Sequence, residues 1–206
     1  MSQDDRDRWD ARYRQGDFPT EPSAVLVAIE ALLPRRGRAL DLGGGAGRHA
    51  IWLARRGLEV TLADVSAVAL ERAREAAARA GVAVRAVAAD LEAAAGLPAP
   101  VLAASPFDVV VAFHYLPAPS LFAALPAALA PGGVFILVQP TRRNLERHER
   151  PPARFLLDEG EARRLLPPGL EVVSDDEGWL EDGRHEARVV ARRPRAKTLE
   201  STARSR

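Results

Sequence analysis

The chain has 206 residues, 47% of them hydrophobic, with 29 basic and 28 acidic side chains that leave a net charge of +1. That length suits one domain with a real core, and the balanced charge offers no basic field for nonspecific nucleic-acid binding. The absence of cysteine excludes a disulfide framework, a thiolate nucleophile and a cysteine zinc site, and His49, His114, His148 and His185 are too dispersed in sequence to form a ligand pair, so no metal is expected.

Taken in order, Asp4 to Gln15 reads as a charged helix on which Trp9 and Tyr13, four residues apart, share one face. Gly16 and Pro19 interrupt the chain. Pro22 to Leu33 is then expected as a second helix, apolar at Val25, Leu26, Ile29, Leu32 and Leu33, with Pro22 near its first position. Ala39, Leu40 and Leu42 make a short buried strand that leads into Gly43, Gly44, Gly45 and Gly47, a turn where a positive φ costs little and the backbone can touch a ligand. Arg48 to Arg56 follows as a helix with Ala50, Ile51, Leu53 and Ala54 on its apolar face, so free N–H groups point over the glycines. An adenosine-bearing ligand fits this geometry. A dinucleotide fingerprint begun at Gly43 would need its third glycine at position 48, where Arg48 stands. Asp41, two residues before the first glycine, would repel a pyrophosphate but can accept hydrogen bonds from an ammonium group or water. The ligand is therefore expected to be cationic and free of phosphate.

Gly57 ends that helix, and Leu58 to Ala63 forms a second strand closing on Asp64, 17 residues beyond Gly47. At this distance an acid in a βαβ unit accepts hydrogen bonds from ribose hydroxyls, which puts Val65 beside the adenine. Ser66 caps a helix to Ala80 with Leu70, Ala73, Ala77 and Ala80 inward. Val82 to Ala88 is the third strand, ending at Ala89-Asp90-Leu91, and residues 92 to 106 hold a short helix or loop. Phe107 to Phe113 is almost continuously apolar, as a central parallel strand should be, and delivers His114-Tyr115-Leu116 to the edge that carries the glycine turn. Pro119 to Leu129 reads as a helix, Pro131 to Gly133 as a turn and Val134 to Val138 as a fifth strand. Gln139 to Leu157 is polar and irregular, a candidate substrate-side loop. A helix starting at Asp158 and running to about Leu166 precedes strands at Gly169–Ser174 and Glu186–Ala191, expected to pair as an antiparallel hairpin.

Asp41-Leu-Gly43-Gly-Gly45-Ala-Gly47 resembles motif I of the class I methyltransferases that use S-adenosylmethionine. Phe107-Asp108 with Leu129-Ala-Pro-Gly-Gly133 repeats the pattern of that class. Trp9-Asp-Ala-Arg-Tyr13 with Gly16-Asp17 and Pro19, and Phe155-Leu-Leu-Asp-Glu-Gly-Glu-Ala-Arg163, are similar to the tellurite-resistance and thiopurine-type small-molecule methyltransferases. The resemblance covers about residues 8 to 191. It implies an α/β, Rossmann-like, doubly wound and mostly parallel seven-stranded sheet with an antiparallel C-terminal hairpin and helices on both faces. The expected domain runs over residues 1 to 191, with residues 1 to 34 as a helical lid or cap, and residues 192 to 206 form a basic tail expected to be disordered. The implied cofactor is S-adenosyl-L-methionine, and the cofactor-binding candidates are Trp9, Arg12 and Tyr13 of the lid, Asp41, Gly43, Gly44 and Gly45 of the turn, Asp64 and Val65, Asp90 for the adenine amino group, Leu91 and Phe113.

Methyl transfer from a sulfonium is an in-line displacement that works mainly by alignment and water exclusion, so no catalytic side chain is strictly required. His114 and Tyr115 are the candidates. No recognisable nucleic-acid or protein-substrate domain is appended, which favours a small-molecule acceptor and leaves nucleic acid unexpected. No apolar run reaches the roughly 20 residues of a membrane span, and Met1-Ser-Gln-Asp-Asp-Arg6 is too polar for a signal peptide, so a cytoplasmic protein without a membrane partner is expected. Two alternatives stay open: an NAD-linked oxidoreductase of similar topology, disfavoured by Arg48 and Asp41, and a non-catalytic cofactor-binding module.

Overall fold

The computed structural model describes residues 3–92 and 96–195. Seven strands form one sheet in the order β3-β2-β1-β4-β5-β7-β6, where β1 is Arg38–Leu42, β2 Glu59–Asp64, β3 Val84–Ala88, β4 Phe107–Phe113, β5 Leu129–Pro140, β6 Glu171–Trp179 and β7 His185–Arg192. The first five are parallel, and β7 runs antiparallel between β5 and β6. The expected doubly wound sheet with its C-terminal hairpin is therefore what the chain forms.

Strand alternation divides the core in two. Leu40, Leu42, Val110, Ala112, Phe135 and Leu137 face one side, where the helix Pro119–Ala128 covers them with Leu121, Phe122 and Leu125. Ala39, Leu62, Val109, Val111, Ile136 and Val138 face the other, under Leu26, Leu53 and Leu70 from helices α2 (Ala24–Ala28), α3 (Arg48–Arg55) and α4 (Ala67–Arg79). Central strands covered on both faces must be apolar at nearly every position, which is why β1 and β4 read so plainly as sequence.

Several boundaries differ from expectation. The helix expected over Pro22–Leu33 is α2 followed by a 3-10 turn at Glu30–Leu32, with Ser23 rather than Pro22 at the cap. Leu33 precedes Pro34 and is extended, as a residue before proline prefers. The segment Pro131 to Gly133, expected as a turn, lies within β5, where the pairing shifts from Phe107↔Leu129 to Val109↔Val134. The helix expected from Asp158 is only Glu161–Arg164, capped by Gly160 in the left-handed region, with the Glu161 carboxylate accepting from the Asp158 N–H at 2.7 Å. The basic tail starts later than residue 192. Arg192 ends β7, and Arg193 is tied to β5 by Gly132 N–H to its carbonyl at 2.8 Å and its own N–H to Gly133 at 2.9 Å. Residues 196 to 206, which hold the rest of the expected tail, lie outside the described residues. No helix among the described residues is long and apolar enough to cross a membrane.

Candidate functional site

The carboxyl ends of β1, β2, β3 and β4 converge on one edge of the sheet, and helix α1 (Gln3–Gln15) roofs it. Between them lies a cavity of about 410 Å3. Its floor is the glycine turn. Gly43, Gly45 and Gly47 sit at φ of 62°, 54° and 85°, in the region that favours glycine. At Gly47 a Cβ would stand 3.0 Å from the Cβ of Ala73, so this glycine lets α3 lie close against α4.

Asp64, at the end of β2, fastens the turn. One carboxylate oxygen accepts from the Gly45 N–H at 2.9 Å and the other from the Ser66 N–H at 2.8 Å, while the group still lines the cavity. Burial raises the Asp64 carboxyl above its ordinary value, against those backbone hydrogen bonds. Ser66 caps α4 by accepting from the Ala69 N–H at 3.1 Å. Asp10 of α1 receives the Ser66 hydroxyl proton at 2.5 Å and the Val68 N–H at 3.3 Å, so the roof is pinned to the start of α4. Arg72 donates to the Gly16 carbonyl at 2.9 Å and holds the far end of the roof.

On the cavity side of α1, Trp9 and Tyr13 pack at 6.2 Å between centroids, and Phe18 stacks on Tyr13 at 4.2 Å. Arg12 lies over Trp9 and Phe18 at 5.4 and 5.8 Å. The Tyr13 hydroxyl rests where a Cβ on Gly45 would be, and burial, reinforced by Asp64, raises this phenol above its ordinary value.

Of the residues singled out from sequence, Trp9, Arg12, Tyr13, Gly43, Gly44, Asp64, Val65, Leu91, Phe113, His114 and Tyr115 line this cavity. Asp41, Gly45 and Asp90 do not. Asp41 is buried beneath the turn, accepting from the Ala50 N–H at 3.1 Å through one oxygen and leaving the other without a partner among the described residues, and burial pushes it up to about 7. Gly45 turns its N–H toward Asp64 and is covered by Tyr13. Asp90 accepts from the Glu92 N–H at 3.0 Å, and its neighbours Ala89, Leu91 and Glu92 line the cavity in its place.

The cavity also takes residues that sequence reasoning passed over. Arg48 and His49, the first residues of α3, line it, as do Phe18 and Pro19 behind the roof, and Phe155 and Arg184 from the distant C-terminal third. His49 stacks on Phe113 at 4.1 Å, and burial, with Arg48 and His114 nearby, lowers it to about 2, so the ring is neutral. His114 has φ of 55°, the single positive value among described non-glycine residues. It directs Nε2 to the buried Glu186 at 2.8 Å, and Arg184 reaches the same carboxylate oxygen at 3.0 Å. Spacing signals could not find this pair. The glycine turn pointed to Arg48 and His49 by adjacency alone.

Residues 39–133 match the family model of a methyltransferase domain. Two curated relatives, the tRNA 5-carboxymethoxyuridine methyltransferases of Escherichia coli K12 and O157:H7, are 49% identical over 49 residues, 24% of this chain and 19% of theirs. The match thus spans about a fifth of the length of these relatives. Among solved structures, a protein from work on the conversion of a disulfide bond into a thioacetal group during echinomycin biosynthesis matches with a TM-score of 0.70 at 24% identity, covering 92% of this chain and 93% of its own. TehB from Haemophilus influenzae matches with a TM-score of 0.65 at 20% identity over 91% and 66% of the two chains. The magnesium protoporphyrin IX methyltransferase of Synechocystis PCC 6803, solved with bound S-adenosylhomocysteine, gives 0.63 at 19% identity over 93% and 94%. The matched segment resembles a methyltransferase domain, and the whole chain takes the fold of these solved structures.

Proposed function

We propose that this protein transfers a methyl group from S-adenosylmethionine to a small-molecule acceptor within the roofed cavity. The observation that carries the reading is the meeting, in one cavity, of the glycine turn, Asp64 and an aromatic roof pinned by Asp10. The residues present suit the cofactor. Asp64 presents a carboxylate to ribose hydroxyls, Val65 and Leu91 offer apolar contact to an adenine, and the buried Tyr115 hydroxyl has no partner among the described residues to compete with a ligand. Asp90, turned to its own loop, is replaced at the adenine edge by the backbone of Ala89 to Glu92 in this reading. Arg12, held between Trp9 and Phe18, is the cation for the methionine carboxylate. The cofactor brings the activated methyl; the chain aligns the acceptor and keeps water out through Trp9, Tyr13 and Phe18.

A macromolecular acceptor would have to enter past α1, which Asp10 and Arg72 hold down, and this favours a small molecule over the tRNA nucleoside named for the curated relatives. Transfer of labelled methyl tests the reading. With S-adenosylmethionine supplied, label should appear in the small-molecule fraction of a cell extract and not in total tRNA. Label confined to tRNA would overturn the small-molecule reading, and a melting shift with NAD but none with S-adenosylhomocysteine would overturn the cofactor.

A further inference from the structure

Two arginines that line the cavity have no carboxylate partner among the described residues, Arg12 under the roof and Arg48 at the start of α3. S-adenosylmethionine carries one carboxylate, so one guanidinium is left over. Arg12 is already placed by its aromatic neighbours in the roof. Arg48 stands at the other end, in the electrostatic reach of Arg184 and Glu186, and its burial together with Arg184 lowers it below its ordinary value. An anion seated there would relieve both effects.

A second, independent observation marks the same end. His49 is buried to 3% exposure, lines the cavity and leaves Nε2 without a partner among the described residues. Such a ring nitrogen is ordinarily satisfied, so a ligand atom is its natural complement. His114 completes the group. An ionised carboxylate can only accept, so the bond to Glu186 fixes the proton on Nε2 and leaves Nδ1 bare, with no protein partner among the described residues. Glu186 is 2% exposed and, although burial pushes it up, the hydrogen bond from His114 and the charge of Arg184 hold it below the ordinary value. The groups that face His114 are Glu186 on β7, Arg184 and Asp182 in the turn before it, and His49 on α3.

Building on the cofactor reading above, we propose that Arg48, His49 and His114 form the acceptor subsite, and that it takes a small organic acid whose nucleophilic atom carries a proton. Arg48 holds the acid group and His49 Nε2 bonds a polar atom of the same molecule. In the transfer step the acceptor's X–H bond breaks as X bonds the methyl carbon. The proton moves to Nδ1 of His114, and the carbon–sulfur pair stays on sulfur, leaving a neutral thioether. Glu186 is a positioning residue that fixes the tautomer of His114 and steadies its imidazolium.

The test uses the full chain saturated with S-adenosylhomocysteine, whose binding is measured first. Benzoate and benzamide then serve as matched probes in calorimetry. Benzoate should bind at least tenfold more tightly, and Arg48→Gln should erase that preference while changing S-adenosylhomocysteine affinity less than twofold. Equal binding of the two probes, or an Arg48→Gln variant that loses S-adenosylhomocysteine instead, would overturn the subsite. A chain that fails to bind S-adenosylhomocysteine at all removes the cofactor reading and this one with it. Nitrogen NMR of the imidazoles reads the second half independently. His114, assigned through His114→Gln, should show a protonated Nε2 and a bare Nδ1, lost in Glu186→Gln and restored in Glu186→Asp. A proton on Nδ1 in the wild type, or a tautomer indifferent to Glu186→Gln, would overturn the role given to His114.

Discussion

The two halves of the sheet contribute to the cavity in different ways. The parallel half, β3-β2-β1-β4, supplies it from strand ends and the turns directly after them, so Gly43, Asp64, Leu91 and His114 each lie at a place fixed by local sequence. The antiparallel half supplies Glu186 and Arg184, which reach the same site only because β7 lies against β5 with Glu186 opposite Pro140. A parallel strand end is a reusable ligand edge, whereas a hairpin is a variable attachment that tailors what arrives there. On this view the parallel half holds the cofactor and also carries Arg48, His49 and His114, while the antiparallel half shapes that acceptor end through Glu186 and Arg184.

The strongest way to break that division is Gly45→Val. Valine at φ of 54° is strained, and its Cβ would overlap the Tyr13 hydroxyl. Strain and overlap together should cost about 3 kcal/mol or more of stability and abolish S-adenosylhomocysteine binding. Thermal unfolding and calorimetry read both, and retained affinity would make the turn purely structural. Asp64→Ala comes next. It removes the proposed ribose acceptor and orphans the N–H groups of Gly45 and Ser66, at roughly 1 to 3 kcal/mol for each buried donor. Affinity and melting temperature should therefore fall together, and unchanged affinity in the folded fraction would put the ribose elsewhere.

Removing residues 1 to 16 separates roof from scaffold. Without Arg12 and Tyr13, S-adenosylhomocysteine should bind about tenfold more weakly, or about 1.4 kcal/mol. Loss of stability with normal affinity would mean that α1, docked through Asp10, is only packing. The smallest effect is a pH dependence. His49 is held neutral in the fold, at about 2, below its ordinary 6.5. Its contribution is complete above about pH 6.5 and declines as the unfolded chain takes up a proton below it, by about 1.4 kcal/mol at about pH 5.5. Stability of His49→Gln measured by denaturant should lose less than the wild type over that window. Identical slopes would show that His49 is solvated.

How much of this was legible follows from the range of each interaction. The run Phe107–Phe113 gave β4 to the residue, because a strand buried on both faces leaves no polar position to blur its ends. The glycine turn and Asp64 were legible for the same local reason. Asp41 was recognised as unusual, but nothing in the sequence says whether an acid at a strand end looks outward or lies under the turn. The bond between His114 and Glu186 spans 72 residues, and only the antiparallel register makes it. Arg48 was read as the missing third glycine of another fingerprint rather than as a charge in the cavity. Its meaning depends on Arg12 being engaged elsewhere, a relation between α1 and α3 that spacing does not encode.

The central claim is that the cofactor occupies the part of the cavity between Asp64, Leu91 and the roof and leaves the end near Arg48, His114 and Glu186 to the acceptor. A crystal structure of the full chain with S-adenosylhomocysteine tests it most directly. The ribose should lie on Asp64, the adenine between Val65 and Leu91, and the carboxylate on Arg12, with Arg48 and His114 uncontacted. A ribose away from Asp64, or the ligand stretched across to Arg48 and His114, would contradict it.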